Sequence, residues 1–241
     1  MPDFRVALWA TLSYFLVLAC GMAVLGGSPD ALTLATVGQL LVLELALCGL
    51  CLFWFGGRWG LIFGATRWRG LVWLIPAVLV LVAMGRDLLP VLLADTAVPW
   101  GLLFLIGATS LLIGFSEEVM FRGILLRGLL ARFGSGPAIL LSAAAFALVH
   151  LLDGVSYDPV AITLQELAFT FLIGLGLAPV ALRVGALWPL ILWHALWDSV
   201  VFSSQVMGVM HPLAVPGMLT QVLVGLLLWS SMRRDAQASP M

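Results

Sequence analysis

The chain has 241 residues, a formal net charge of -1 and a mean hydropathy of +1.15. Hydrophobic residues make up 63% of it and charged residues only 10%. A soluble globule of this length could not bury that much apolar surface, and a disordered chain has the opposite composition, so both classes are excluded. A net charge of -1 also argues against a nucleic-acid-binding protein, and the composition requires a lipid bilayer as solvent.

Eight apolar runs follow one another along the chain, most of them near the roughly 20 residues that a membrane span needs. They are apolar on all sides rather than alternating, which indicates helices and not the strands of a barrel. The sequence therefore predicts an all-α membrane protein, a polytopic bundle of about eight transmembrane helices that forms a single domain over 1–241. The runs cover residues 6–25, 33–55, 71–93, 100–130, 137–152, 160–180, 186–202 and 213–232.

Arginine sets the predicted orientation, because cytoplasmic loops of membrane proteins collect positive charge. With eight crossings and a cytoplasmic N-terminus, nine arginines fall on the inner side and the outer loops receive only acidic residues and a histidine. This sorting predicts that both termini are cytoplasmic. The first run resembles a signal peptide, but its n-region has one Arg and an Asp and the Leu18 position fits a lipoprotein cleavage box poorly, so we expect an uncleaved span. The inner group is Arg5, Arg58, Arg67, Arg69, Arg127, Arg132, Arg183, Arg233 and Arg234; the outer group is Asp30, Asp95, Asp153, Asp158 and His211.

Ionisable side chains at membrane depth cost roughly 2.5–3.5 kcal/mol each on insertion scales, so each of them needs a reason. Three runs in the second half of the chain carry such groups. Depth along each helix, at about 1.5 Å per residue, brings them to a common layer near the middle of the membrane. The groups are Glu117, Glu118 and Arg122 in the fourth run, His150 in the fifth, and His194 with Asp198 in the seventh.

Helical spacing sorts these groups into pairs. Glu118 and Arg122 are four residues apart with the acid first, the favoured order for an ion pair on one helix face. Glu117 is rotated by about 100° from Glu118, so it should point at something else. His194 and Asp198 also share one face, where the carboxylate could orient the imidazole.

The predicted meeting of these groups has two chemical interpretations. Glu117, His150, His194 and Asp198 in one polar cavity could activate a water molecule and stabilise an oxyanion. Alternatively, Glu117, His150 and His194 could be three ligands of a zinc ion that keeps an open position for water.

Other polar and aromatic residues have simpler interpretations. Isolated charges in other spans are expected to be pairing or interface groups, the cysteines to be packing residues, and the ten tryptophans, mostly near run ends, to be interface anchors. His211 is expected to be an ordinary loop residue. The isolated groups are Glu44, Arg86, Asp87 and Glu166, and the two cysteines with redox-like spacing are Cys48 and Cys51.

Three motifs in order, each in its own run, resemble the CPBP family of type II CAAX prenyl endopeptidases and bacterial proteins related to bacteriocin processing and self-immunity. They are Glu117-Glu118-Val119-Met120-Phe121-Arg122, Phe146-Ala147-Leu148-Val149-His150 and His194-Ala195-Leu196-Trp197-Asp198. The stretches 174–177 and 185–189 also look like the family. The resemblance covers about residues 100–202, which we predict to be the catalytic core.

The resemblance implies a membrane-embedded peptidase. Carried over by motif, Glu117 would activate water with His150, while His194 and Asp198 would stabilise the oxyanion. Glu118 and Arg122 would hold the first motif in place, with Phe146 as a further supporting residue. The CAAX endopeptidases have Asn where this chain has Asp198, and a carboxylate must be protonated to donate a hydrogen bond. Asp in place of Asn therefore favours a role for Asp198 in orienting His194 over a role in binding the oxyanion.

The expected function is hydrolysis of a peptide bond in a membrane-associated peptide or protein, with CAAX-type processing as one form of it. The expected location is the bacterial cytoplasmic membrane, and the resemblance leaves open a metal ion such as zinc. One alternative is a non-enzymatic immunity or assembly factor on the same fold. Another is a proton-coupled carrier, because buried carboxylates also form proton relays, although the chain shows no inverted repeat.

Overall fold

The structure is a computed structural model that describes residues 3–25, 31–154 and 160–238, with side chains described over 3–25, 31–152 and 163–232. Every regular element in these ranges is a helix, which confirms the all-α prediction. The predicted separator 26–30 lies outside the described residues, as does most of the separator 153–159. Nothing in the structure therefore bears on Asp30, Asp158 or the side chains of Asp153, Arg233 and Arg234.

All eight apolar runs fold as helices, and the third and fourth runs are each built from more than one helical type. A 3-10 turn over Trp68–Leu74 leads directly into the fourth α-helix. A π-helix over Glu118–Leu125 joins the fifth and sixth α-helices into one long rod. The α-helices are α1 Phe4–Leu25, α2 Leu34–Phe55, α3 Gly60–Phe63, α4 Ile75–Ala94, α5 Trp100–Glu117, α6 Leu126–Phe133, α7 Ser135–Gly154, α8 Val160–Val184, α9 Trp188–Met207 and α10 Ala214–Ala238.

Seven helical segments of the described chain are long and apolar enough to cross a membrane. The eighth predicted span, α9, does not reach that standard, because His194, Asp198 and a group of serines lower its hydropathy. Length and composition thus support one span fewer than the sequence analysis predicts. The cytoplasmic placement of both termini stays a prediction.

Close packing of α5 against α9 brings the first and third motifs together. Gly114 on α5 makes this approach possible, since a Cβ atom there would lie 2.9 Å from the backbone nitrogen of Ala195 and from the backbone oxygen of Ile191. Contacts that short are not seen between a real Cβ and backbone atoms. A residue with a side chain at position 114 would therefore push α9 away from α5.

Two hydrophobic clusters build the interior. One surrounds the π-helix and draws on α1, α2 and α7, with Phe146 among its members. The other joins α4, α8, α9 and α10, with Trp193 among its members. Phe146 and Trp193 both also line a cavity, so the polar residues of the three motifs lie where the two clusters meet.

Candidate active site

Glu118 connects the first motif to the third. Its Oε1 atom lies 3.1 Å from Nη1 of Arg122 and accepts a hydrogen bond of 3.0 Å from Nδ1 of His194. Glu118 and Arg122 are both almost completely buried. The ion pair predicted from the four-residue spacing is present, and the contact with His194 adds a second partner that spacing along one helix could not reveal.

The other nitrogen of His194 faces two more carboxyl groups. Its Nε2 atom lies 3.7 Å from Oε2 of Glu117 and 3.5 Å from Oδ2 of Asp198. With Nδ1–H held by Glu118, the Nε2 atom is the one available for chemistry. The imidazole of His194 therefore has the Glu118 carboxylate at Nδ1 and the carboxyl groups of Glu117 and Asp198 near Nε2.

The π-helix explains how two consecutive glutamates reach one ring. In an α-helix Glu117 and Glu118 would diverge by about 100°, and the sequence analysis expected them to face different surroundings. At the junction of α5 and the π-helix both side chains contact His194 instead. The wider turn of a π-helix reduces the angle between successive residues, and such turns are frequent at functional sites. Ser142 of α7 supports this segment by donating to the carbonyl oxygen of Phe121 at 3.0 Å.

The ring of Phe146 lies close to Arg122 and to both histidines. Its ring lies 4.0 Å from the guanidinium carbon of Arg122, and its centroid lies 5.0 Å from that of His150 and 6.2 Å from that of His194. Its carbonyl oxygen is 3.0 Å from Nδ1 of His150. Because a carbonyl only accepts, Nδ1 carries the hydrogen, and a neutral His150 presents its lone pair at Nε2.

A cavity of about 70 Å³ opens beside these residues. Its walls come from the π-helix and from α7, α8, α9 and α10, and most of the lining side chains are aromatic or aliphatic. Glu117 is not part of the lining and meets the site through His194. The lining residues are Glu118, Phe146, His150, Phe169, Thr170, Ile173, Leu177, Trp193, His194, Trp197, Asp198 and Met218.

The residue before Glu117 is tied to two neighbouring helices. The Ser116 hydroxyl donates to Oε2 of Glu44 at 2.8 Å and lies 3.1 Å from the hydroxyl of Tyr14. Cys51 donates to the carbonyl oxygen of Ser116 at 3.3 Å. Glu44 is thus the pairing group that the sequence analysis expected, and Cys51 is a packing residue of the α2–α5 contact.

His211 stabilises the end of the bundle opposite the arginine-rich loops. Its two ring nitrogens lie 3.3 Å from Oδ2 of Asp87 and 2.7 Å from the hydroxyl of Ser204. The ring therefore links the ends of α4 and α9. These contacts agree with the expected structural role of His211.

The predicted zinc site needs Glu117, His150 and His194 around one point. Among the residues that the structure describes, no group of three His, Cys, Asp or Glu side chains is arranged to hold a metal ion. Both histidines use Nδ1 for a partner within the protein, His194 for Glu118 and His150 for the carbonyl of Phe146, and these contacts leave each Nε2 atom open. The three side chains do not fit a zinc ion as they stand, and the metal stays a prediction.

The comparison with protein families gives one match. Residues 99–200 match the model described as type II CAAX prenyl endopeptidase Rce1-like. This match is consistent with the CPBP family and confirms the resemblance predicted from the three motifs, all of which lie inside the matched segment. No curated protein matches this chain, and no solved structure matches it.

Proposed function

We propose that this protein is an intramembrane endopeptidase that hydrolyses a peptide bond of a membrane-associated peptide or protein. One observation carries the proposal: a buried imidazole with carboxyl groups at both nitrogens lines a cavity that it shares with a second imidazole. Ionisable groups at membrane depth cost free energy, so a cluster of them indicates a function. The family match over 99–200 supports the same reaction class.

The proposed reaction uses Glu117 as general base. The carboxylate takes a proton from a water molecule while the water oxygen bonds to the carbonyl carbon of the scissile peptide. Nε2 of His150 accepts a hydrogen bond from the same water. The proton then passes from Glu117 to the amide nitrogen as the C–N bond breaks, which yields a carboxylic acid and an amine.

His194 is the proposed oxyanion partner. When Nε2 is protonated, it donates to the oxygen that becomes negative as water adds, and such donors act most strongly in a dry site. Glu118 supports this role by fixing Nδ1–H at 3.0 Å. Asp198, at 3.5 Å from Nε2, limits the rotation of the ring.

The substrate is proposed from the family and from the cavity together. The printed family description names prenyl endopeptidases that act on CAAX sequences, and an apolar cavity between helices suits a chain that enters from the bilayer. We place the protein in a cytoplasmic membrane of a bacterium. Neither a prenyl group nor a particular cleavage sequence is required by the proposed reaction.

The test compares Glu117→Gln with Glu166→Gln, a matched change of a second glutamate in a membrane helix outside the cavity lining. N-terminal proteomics of cells that express each variant should show fragments that need Glu117 and are kept in Glu166→Gln. Purified wild type in liposomes, assayed with and without a chelator, decides whether zinc takes part. Equal fragment patterns in wild type and Glu117→Gln would reject the peptidase and favour the non-enzymatic factor.

A further inference from the structure

The structure gathers the arginine-rich segments at one end of the helix bundle. At the start of α1, the ring of Phe4 packs against that of Phe133 at the end of α6, with the centroids 5.3 Å apart. The backbone N–H of Arg67 donates to the carbonyl oxygen of Val184, the last residue of α8, at 2.9 Å. We call this end of the bundle the arginine end. It carries Arg5, Arg58, Arg67, Arg69, Arg127, Arg132 and Arg183.

Exposure of the cavity lining changes along the bundle. On α7, α8 and α9 alike, the lining residues nearer the arginine end are buried, and those nearer the opposite end are partly exposed. Met218, the lining residue of α10, is fully buried, so the opening lies among the other three helices. Among the described residues, such buried and partly exposed pairs are Phe146 and His150 on α7, Leu177 and Thr170 on α8, and Trp193 and Trp197 on α9.

A packed apolar layer separates the cavity from the arginine end. It consists of side chains with 0% relative exposure that follow Leu177 on α8 or precede Trp193 on α9. The backbone N–H of Leu187, just before α9, donates to the carbonyl oxygen of Leu61 at 2.9 Å, which ties α3 to the start of α9. A peptide that came from the arginine end would have to displace this layer. Its members are Val180, Ala181, Val184, Ala186, Leu187 and Leu190.

The partly exposed end of the cavity is close to the end of the bundle that lies opposite the arginines. At about 1.5 Å per residue, His150 is about 6 Å from the end of α7 at Gly154, a distance that about two extended residues span. Hydrolysis consumes water, so the cavity of a peptidase needs a route to the aqueous phase. The packed layer leaves this end for that route.

We propose that the substrate enters the cavity from the extracytoplasmic side of the membrane, so that the bond cleaved lies in an exported segment of a membrane-associated peptide or protein. The side follows from the arginine end, because arginine-rich loops of membrane proteins are cytoplasmic. The inference rests on the proposed function, since it assumes hydrolysis at this site. A tail held at the cytoplasmic face, prenylated or not, would meet the packed layer and not the cavity.

Thiol labelling measures the direction of the opening without requiring activity. Thr170→Cys places a thiol at the partly exposed part of the cavity. Thr66→Cys is the matched control, since the same substitution falls on a partly exposed residue at the arginine end. The probe is 2-(trimethylammonium)ethyl methanethiosulfonate, a permanently charged reagent that does not cross membranes, added to right-side-out or inside-out vesicles. Wild type, with its three cysteines, gives the background.

Thr170→Cys should react in right-side-out vesicles and lose that reaction in inside-out vesicles, whereas Thr66→Cys should show the reverse. Phe169→Cys, at a second lining position of α8, should repeat the result of Thr170→Cys and keeps the test decisive if Thr170→Cys does not fold. Reaction of these cavity thiols in inside-out vesicles, or in neither preparation, would overturn the proposed opening.

The side of cleavage is measured on natural substrates. N-terminal proteomics of cells with wild type or Glu117→Gln gives the fragments that require Glu117. We expect these fragments to begin in secreted proteins and in the extracytoplasmic segments of membrane proteins, and to be lost in Glu117→Gln.

The two proposals fail in different ways. Fragments that require Glu117 but begin only in cytoplasmic segments would overturn this inference and leave the peptidase in place. A complete lack of fragments that require Glu117 would reject the peptidase and, with it, the exported substrate, whatever direction of opening the labelling shows.

Discussion

Glu118 forms an ion pair with Arg122 and accepts a hydrogen bond from His194, which makes it the most constrained carboxylate of the site. Its Oε1 atom contacts both Arg122 and His194, and its side chain is fully buried. Neutralising it would leave a buried guanidinium without its partner, the situation in which loss of one half of an ion pair is most destabilising. Stability and activity should therefore both depend on Glu118, and a single and a double variant can separate the two effects.

Glu118→Gln is expected to lower stability by about 3–5 kcal/mol because Arg122 stays charged and buried. The double variant Glu118→Gln with Arg122→Met should recover most of that loss, since the uncompensated charge is gone. Activity should not return, because His194 still lacks its carboxylate. Thermal unfolding and peptide cleavage measured on the same samples check both statements, and recovery of activity in the double variant would contradict them.

Asp198 gives a second prediction at the same scale. Asp198→Asn should keep activity within about tenfold of wild type, since the amide oxygen can still accept from Nε2 of His194 and the amide group can also donate. Asp198→Ala should lose about 100-fold or more, by analogy with removal of one polar group at an oxyanion site. Comparison of kcat for the two variants tests this. Equal activity of Asp198→Ala and wild type would show that Asp198 plays no part.

At the level of helices, the π-helix and the α5–α9 contact decide where the reactive groups stand. Spacing in the sequence correctly predicts the Glu118–Arg122 pair and the shared face of His194 and Asp198, because both pairs lie within one helix. The bond between Glu118 and His194 joins residues 76 positions apart. It depends on the close packing at Gly114 and on a local widening of the helix, and neither is visible in hydrophobic periodicity.

Gly114→Ala is expected to separate α5 from α9. The new Cβ would meet backbone atoms of α9, which cannot move aside as a flexible side chain can. Overpacking of this kind costs about 1–3 kcal/mol, and a displacement near 1 Å at the site can cost about 100-fold in rate. The control is Gly107→Ala on the same helix, where a Cβ meets nothing within 4 Å. Similar melting temperatures and rates for the two variants would contradict this account of Gly114.

For the molecule as a whole, composition predicts the membrane environment, because no other solvent accommodates such a chain, and runs that are apolar on all sides predict the helical class. Hydropathy alone does not fix the number of spans. The polar residues of the candidate site lower the hydropathy of α9, so α9 is not among the seven candidate spans. Trp193 is a related case, since the tryptophans are expected to be interface anchors, yet Trp193 lies in the interior. Tertiary packing decides both outcomes.

The predicted orientation can be tested on intact cells. If α9 crosses the membrane with the seven other spans, both termini lie in the cytoplasm, and a green fluorescent protein at either end should fluoresce while an alkaline phosphatase at either end stays inactive. The arginine distribution is the physical reason for this expectation. A phosphatase that is active at the C-terminus only would mean an odd number of crossings.

The ring of Phe146 lies close to the side chains of Arg122, His150 and His194. One aromatic side chain therefore packs near two imidazoles from different helices and influences the distance between them. A smaller or larger residue at that position would shift both rings together, so neither histidine can be retuned alone. Diversity among proteins with this arrangement is then expected in the cavity wall contributed by α8, where Phe169, Thr170 and Ile173 can change without altering the distance between the histidines.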